Sequence, residues 1–186
     1  MMMQGSPEEW DELRSFVREL HDKDQIRDCL YRYSRAVDRI DEALLLSVFH
    51  DDAVIDYGVL FKGGRQAFVE KTIAVQLRQV DCQHLIGNIL IDINGDEAAV
   101  ESYEIGRHLT PLGDHVKDMV LASRILDHFE RRDGAWKVVY RKKVLDWVRF
   151  LEADRSMHEN SPIVIGRRDE EDPSYALFDR LLPGVI

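Results

Sequence analysis

Asp38 and His84 are the two residues whose types and places point most directly to chemistry. A carboxylate that holds an imidazole in one tautomer is the smallest unit able to take a proton from carbon at neutral pH. Asp38 closes the segment Tyr31-Arg32-Tyr33-Ser34-Arg35-Ala36-Val37-Asp38, and His84 opens Gln83-His84-Leu85-Ile86-Gly87-Asn88-Ile89-Leu90. On a helix Asp38 flanks the apolar stripe, one residue beyond Val37 and four beyond Ser34, where it can turn to a cavity mouth. The same position suits a solvated aspartate in a helix-to-helix turn. His84 alternates with Ile86, Asn88 and Leu90, while Leu85, Ile89, Ile91 and Ile93 form the other face of the strand. A structural histidine with satisfied hydrogen bonds reads the same way.

Other groups could join this pair. Tyr33, Tyr57 and His108 carry polar tips on apolar bodies. A buried tyrosine hydroxyl can donate to a developing enolate oxygen, although packing with one wet tip is its commoner use. His108 shares the face of His84 only if the hairpin loop has three residues or a bulge intervenes; a two-residue loop at Asn94-Gly95 puts it on the other face. Arg141 lies in Val139-Tyr140-Arg141-Lys142-Lys143. Facing inward it would hold a carboxylate, carbonyl or leaving group. Facing outward it belongs to a basic edge.

No histidine pair has metal-ligand spacing, and there is no Gly-rich phosphate loop or nucleophile elbow. The expectation is therefore no metal, no cofactor, and chemistry done by side chains. The 186 residues suit one domain with a sizeable core. A net charge of −10 argues against nucleic acid and anionic membrane as partners. Cys29 and Cys82 form no disulfide framework and read as buried free thiols. The first ten residues lack the features of a signal peptide, and no apolar run reaches the ~18 residues of a span. A cytoplasmic location is the expectation.

The elements that must position these groups follow from periodicity. Ser6-Pro7-Glu8-Glu9 opens a helix carrying Trp10, Leu13, Val17 and Leu20, and Asp22 with Gln25 caps a second bearing Ile26, Leu30, Tyr33 and Val37. Asp41 caps a short helix, 42–49. Short strands at 53–57 and 59–62 surround Gly58, Gly63-Gly64 breaks the chain, and 65–78 is helical again. Four long strands follow, 82–93, 97–110, 116–131 and 135–151, with turns at Asn94-Gly95-Asp96 and Asp133-Gly134. Helices grouped at one end of a bent antiparallel sheet make an α+β fold. The charged, Pro-punctuated tail from residue 152 to 186 reads as an arm or lid that Tyr175, Leu177 and Phe178 could dock.

Arg32-Tyr33-Ser34-Arg35-Ala36-Val37-Asp38, Phe49-His50-Asp51-Asp52-Ala53 and Arg132-Asp133-Gly134-Ala135-Trp136-Lys137 together resemble a SnoaL-like protein of the nuclear transport factor two superfamily. The resemblance spans roughly residues 22–151. It implies a cone-shaped, cystatin-like α+β domain over 1–151 (core 22–151, an extra N-terminal helix 6–20), with helices on the concave face of the sheet. Scytalone dehydratase, hexachlorocyclohexane dehydrochlorinase and bile-acid dehydratase use an Asp-His dyad in such a cone, matching Asp38 and His84. Tyr33 resembles the tyrosine of the bile-acid enzyme, where the dehydrochlorinase has lysine. Arg141 matches the last-strand arginine of these two enzymes. Tyr57 and His108 resemble polar groups of scytalone dehydratase, whose tyrosine directly before the Asp is Val37 here, and are expected to bind substrate.

The resemblance thus implies a cofactor-free, dehydratase-like lyase with catalytic Asp38, His84, Tyr33 and Arg141, acting on a small apolar cyclic or polycyclic molecule. The alternatives are an isomerase or cyclase, or a non-catalytic binding module like an oxygenase small subunit. It also implies a homo-oligomer, a trimer through the outer sheet face or else a dimer.

Overall fold

Ser6 starts the first helix as its neighbours require. Its hydroxyl accepts the Glu9 N–H at 3.3 Å, and the Glu9 carboxylate accepts the Ser6 N–H at 2.7 Å. In this computed structural model, which describes residues 6–113, 115–153 and 160–181, helix α1 then runs unbroken over Pro7–Arg39. The break expected at Asp22 is absent. No glycine or proline interrupts this stretch, and the Asp22 carboxylate leaves the backbone to accept from Trp136 Nε1 at 2.9 Å and Arg131 Nη1 at 3.0 Å. Burial begins at this residue. The earlier stripe of Trp10, Leu13, Val17 and Leu20 is exposed.

Asp41 caps α2 (Glu42–Ser47) by accepting the Leu44 N–H at 2.9 Å. The helix stops short of Phe49 because Phe49 enters strand β1 (Phe49–Asp56) and pairs with the last strand. The expected strand at 59–62 is mostly loop. Its pairing partner is instead β2 (Lys62–Gly64), so Gly63 and Gly64 join the sheet rather than interrupt it. Helix α3 (Arg65–Gln76) leads to the long strands β3 (Asp81–Asn94), β4 (Glu97–Leu112), β5 (His115–Arg132) and β6 (Ala135–Glu152). Helix α4 (Pro173–Leu181) closes the described chain.

The four long strands form an antiparallel meander, with Asp133 and Gly134 both at positive φ in the β5–β6 turn, as a two-residue hairpin loop demands. The sheet order is β2-β1-β6-β5-β4-β3, with β1 lying parallel to β6. The result is a curved, unclosed sheet whose concave face is covered by the N-terminal helices, an α+β cone. Ile26, Leu30 and Val37 of α1 pack with Phe49, Phe129 and Val138 of the sheet in a single core.

One irregularity decides what faces the cone. Pairing of β3 with β4 runs from Asn94↔Glu97 to Ile89↔Ser102, then shifts by one residue to Ile86↔Glu104. The extra residue at Gly87-Asn88 is a β-bulge, and a one-residue slip exchanges the faces of a strand. His84 therefore shares the inner face with Ile89 and Ile91, not with Leu90, which is exposed. Among the described residues no helix is long and apolar enough to cross a membrane.

Candidate active site

Asp38 is the penultimate residue of α1, and Ile40 ends that helix in the left-handed region at φ 57°. A β-branched residue is rare there, and such conformations collect at functional sites. β3 enters beside this helix end. Asp38 Oδ1 lies 2.7 Å from His84 Nδ1, and Asp38 Oδ2 accepts the His84 backbone N–H at 3.1 Å. Both carboxylate oxygens thus grip one residue, which fixes the ring and assigns the proton to Nδ1. The His84 side chain is 5% exposed and that of Asp38 13%.

The two-residue loop Gly95-Asp96 would by itself have separated His108 from His84, but the bulge restores a common face. Their rings stand edge to face with centroids 5.0 Å apart. Burial, followed by the neighbouring His84, pushes the His108 pKa down to about 4. His108 is therefore a neutral neighbour at pH 7. Opposite His84 in the register is Gly106. A Cβ at that position would lie 3.3 Å from His84 Cδ2 and 3.3 Å from His108 Nε2. The missing side chain is what admits both rings.

Deeper in the cone Tyr33 and Tyr57 meet hydroxyl to hydroxyl at 3.0 Å. The Arg141 guanidinium lies 4.1 Å from the centre of the Tyr33 ring. Arg141 faces inward and is fully buried, with a two-pronged contact to Asp127 at 2.8 and 2.7 Å. Burial works against its charge, and Asp127 more than offsets this, holding its pKa well above the usual value. One guanidinium nitrogen, Nη1, has no partner among the described residues. Burial pushes the Tyr57 hydroxyl well above the ordinary tyrosine range, so it remains a donor.

Glu104 links the two ends. It is buried on the inner face of β4 and takes Lys143 Nζ at 2.6 Å. Burial raises its pKa, but Lys143 and then His84 outweigh that and leave it below the usual value. Lys143 also sits 5.5 Å over the Tyr57 ring. The interior is thus a polar seam from Asp38–His84 through Glu104–Lys143 to the tyrosines and Arg141–Asp127.

All six expected residues, Asp38, His84, Tyr33, Tyr57, His108 and Arg141, line the same side of the sheet. Glu104, Lys143 and Asp127 escaped the sequence reading. For Glu104 the signal was the alternation of Ser102, Glu104 and His108 behind Ala98 and Val100 on β4; Asp127 and Lys143 lie on β5 and β6. Cys82 is the buried free thiol the sequence suggested, and it touches Asp38: its Sγ is 3.5 Å from Asp38 Oδ1. Asp38, Cys82 and His84 bring one ligand atom each to within 4.8 Å of one another. Their environment fits a metal poorly, because burial and Asp38 push the thiol up to about 12 and a guanidinium nitrogen of Arg168 already lies 3.0 Å from Sγ.

A curved, unclosed α+β sheet with polar groups on its inner face defines a cone domain of the nuclear transport factor two type. The chain belongs to the SnoaL-like domain family, whose model matches residues 18–142. Among solved structures, it is similar in fold to a putative scytalone dehydratase from Novosphingobium aromaticivorans (TM-score 0.65, 22% identity, 73% of this chain and 91% of that one). It is likewise similar to a hexachlorocyclohexane dehydrochlorinase, LinA type 2 (TM-score 0.68, 18% identity, 74% of this chain and 94% of that one). A protein with a cystatin-like fold from Nostoc punctiforme matches at TM-score 0.57 and 21% identity, over 67% of this chain and 91% of that one. No curated protein matches the sequence.

Proposed function

We propose that the protein is a cofactor-independent lyase of the dehydratase type, in which His84 removes a proton from carbon. The observation that carries this reading is the 2.7 Å contact between His84 Nδ1 and Asp38 Oδ1. It leaves the other ring nitrogen, Nε2, to act as the base, with the carboxylate stabilising the imidazolium that forms. Nε2 takes a proton next to a carbonyl, the C–H electrons form the new double bond, and the hydroxyl on the adjacent carbon departs with its bonding pair and takes the proton back from the imidazolium to leave as water. Tyr33 donates to the substrate oxygen as charge develops on it, while its own oxygen accepts from the Tyr57 hydroxyl. Arg141, closed by Asp127, acts through the ring of Tyr33 as a fixed positive charge. His108 and Glu104–Lys143 shape the site around the base.

The proteins of similar fold, a putative scytalone dehydratase and a hexachlorocyclohexane dehydrochlorinase, are named for eliminations, which favours this class. The substrate is an apolar cyclic or polycyclic molecule carrying oxygen groups, since the wall behind the dyad is polar. Self-association through the outer sheet face, as a trimer, is part of the proposal. That face exposes Leu85, Leu90, Tyr103, Ile105 and Trp147, and light scattering measures the mass directly against 21.6 kDa for one chain.

Incubation with one monocyclic and one bicyclic β-hydroxy ketone, followed by NMR, tests the reaction. Formation of the enone plus water supports elimination. A shifted double bond or new ring with no group lost would move the assignment to an isomerase or cyclase. Ketones recovered unchanged in both cases would count against proton abstraction from this class.

A further inference from the structure

The arm after the sheet reaches the dyad through Arg168. This guanidinium gathers acceptors from α1, α3, the loop after α3 and β3. Its Nε donates to the Asp38 carbonyl at 3.2 Å, and Nη1 donates to the carbonyls of Gln76 at 2.9 Å and Gln79 at 3.3 Å. Nη2 lies 2.8 Å from Gln76 Oε1 and 3.0 Å from Cys82 Sγ. The first carbonyl belongs to the last turn of α1, and Gln76 ends α3. The last carbonyls of a helix lack partners within it and carry the negative end of its dipole. One cation therefore satisfies two helix ends at once.

From Cys82 the chain of contacts continues to Asp38 Oδ1, the same oxygen that holds His84 Nδ1. Arg168 thus fixes the main chain of Asp38 from behind and the thiol beside its carboxylate. The arm around it is itself anchored. Asp172 is buried and accepts the backbone N–H groups of Arg167 at 2.9 Å and Ser174 at 3.1 Å. Burial opposes its charge, and these bonds with Ser174 and Arg39 bring its pKa down to about 2. Arg35 of α1 lies 4.8 Å from the Tyr175 ring centre and 5.3 Å from that of Phe178. A hollow of about 480 Å³ beside Arg168 borders Asp38 and Cys82 but neither tyrosine, so it marks the seam between arm and body rather than the cone interior.

We infer that Arg168 is a positioning residue: the arm is a strap, and its guanidinium holds Asp38 and Cys82 so that the carboxylate keeps its aim on His84. This rests on the dyad reading for its catalytic meaning, but the geometry can be tested without turnover. Two readouts suffice. The first is alkylation of the two thiols by iodoacetamide, located by mass spectrometry. Cys29 is fully buried in the core and reports global unfolding, whereas Cys82 lies under the strap. The second is the downfield NMR signal of the His84 ring proton bound to Asp38, assigned by its loss in His84→Ala.

In Arg168→Ala we expect Cys82 alkylation to rise at least tenfold with Cys29 still protected, and the ring-proton signal to disappear into exchange. Arg168→Lys restores the charge but not the branched geometry and should recover only part of the signal. Asp172→Ala, which loosens the strap while leaving Arg168 in place, should act in the same direction. Unchanged Cys82 protection in Arg168→Ala and Asp172→Ala would overturn the proposal. So would an intact His84 signal once Cys82 has become reactive. A wild-type protein that shows the signal but no turnover would sink the lyase reading and leave the strap standing.

Discussion

At the residue scale the site depends on contacts that fix direction rather than on many contacts. His84 is held at Nδ1 and at its backbone N–H by the two oxygens of one carboxylate, so little freedom remains to the ring. Gly106 is the complementary requirement, since it leaves the space into which both imidazoles fit. Gly106→Ala places a methyl 3.3 Å from each ring, tighter than ordinary contact, and His84 cannot retreat without leaving Asp38. The expected outcome is a loss of turnover of about tenfold or more, within the range of general-base contributions, with Cys29 still unreactive in the folded variant. Unaltered turnover would mean that the ring is free to move.

The Asp38–His84 contact was legible in the sequence because an acid near the end of a helix and a histidine opening a strand are both read from local pattern. Arg168 was not, because nothing in Arg167-Arg168-Asp169 announces which helix ends it will meet. Glu104 lay between the two cases. Its alternation was visible, but an inward charge is recognised only when Lys143 is known to lie beside it.

At the element scale, α1 and β3 carry the differences from sequence expectation. Both depend on partners far along the chain. A capping residue at position 22 looked like a helix start, yet Trp136 and Arg131 take its carboxylate and the helix continues. Lys23→Pro separates the two arrangements. At the first position of a new helix proline costs little, whereas inside a continuous helix it costs about 3 kcal/mol. A melting temperature lowered by several degrees is expected, and one matching the wild type would argue for a break at Asp22. The bulge at Gly87-Asn88 was similarly invisible. Period-two alternation cannot reveal an inserted residue, so the sequence placed Ile89 opposite His84 when both face inward. That single residue also decides that His108 joins the site.

At the scale of the whole molecule, the inner seam of buried charges ties stability to pH. His108 has its pKa lowered from 6.5 to about 4 in the folded protein. A depressed base favours folding while it is neutral. This contribution is complete above about pH 6.5, declines as pH falls, and becomes a constant penalty below about pH 4. The penalty is on the order of 3 kcal/mol, from 1.36 kcal/mol per unit. Thermal melts at pH 7 and pH 4.5 should therefore show a smaller acid-induced loss in His108→Gln than in the wild type. Equal losses would place the acid sensitivity elsewhere. The overall α+β architecture was the most legible feature, since long alternating strands with tight turns after helical segments leave few ways to cover one bent sheet. The parallel contact of β1 with β6 could not be read, because the strands involved are separated by the whole meander.

The central claim, that Asp38 and His84 form a working base, is tested most directly by deuterium incorporation next to the carbonyl of a bicyclic ketone in D₂O, followed by NMR. The wild type should catalyse exchange, and His84→Ala and Asp38→Asn should each slow it by about 10²–10⁴-fold while remaining folded. Exchange within twofold of the wild type in both variants would contradict the account.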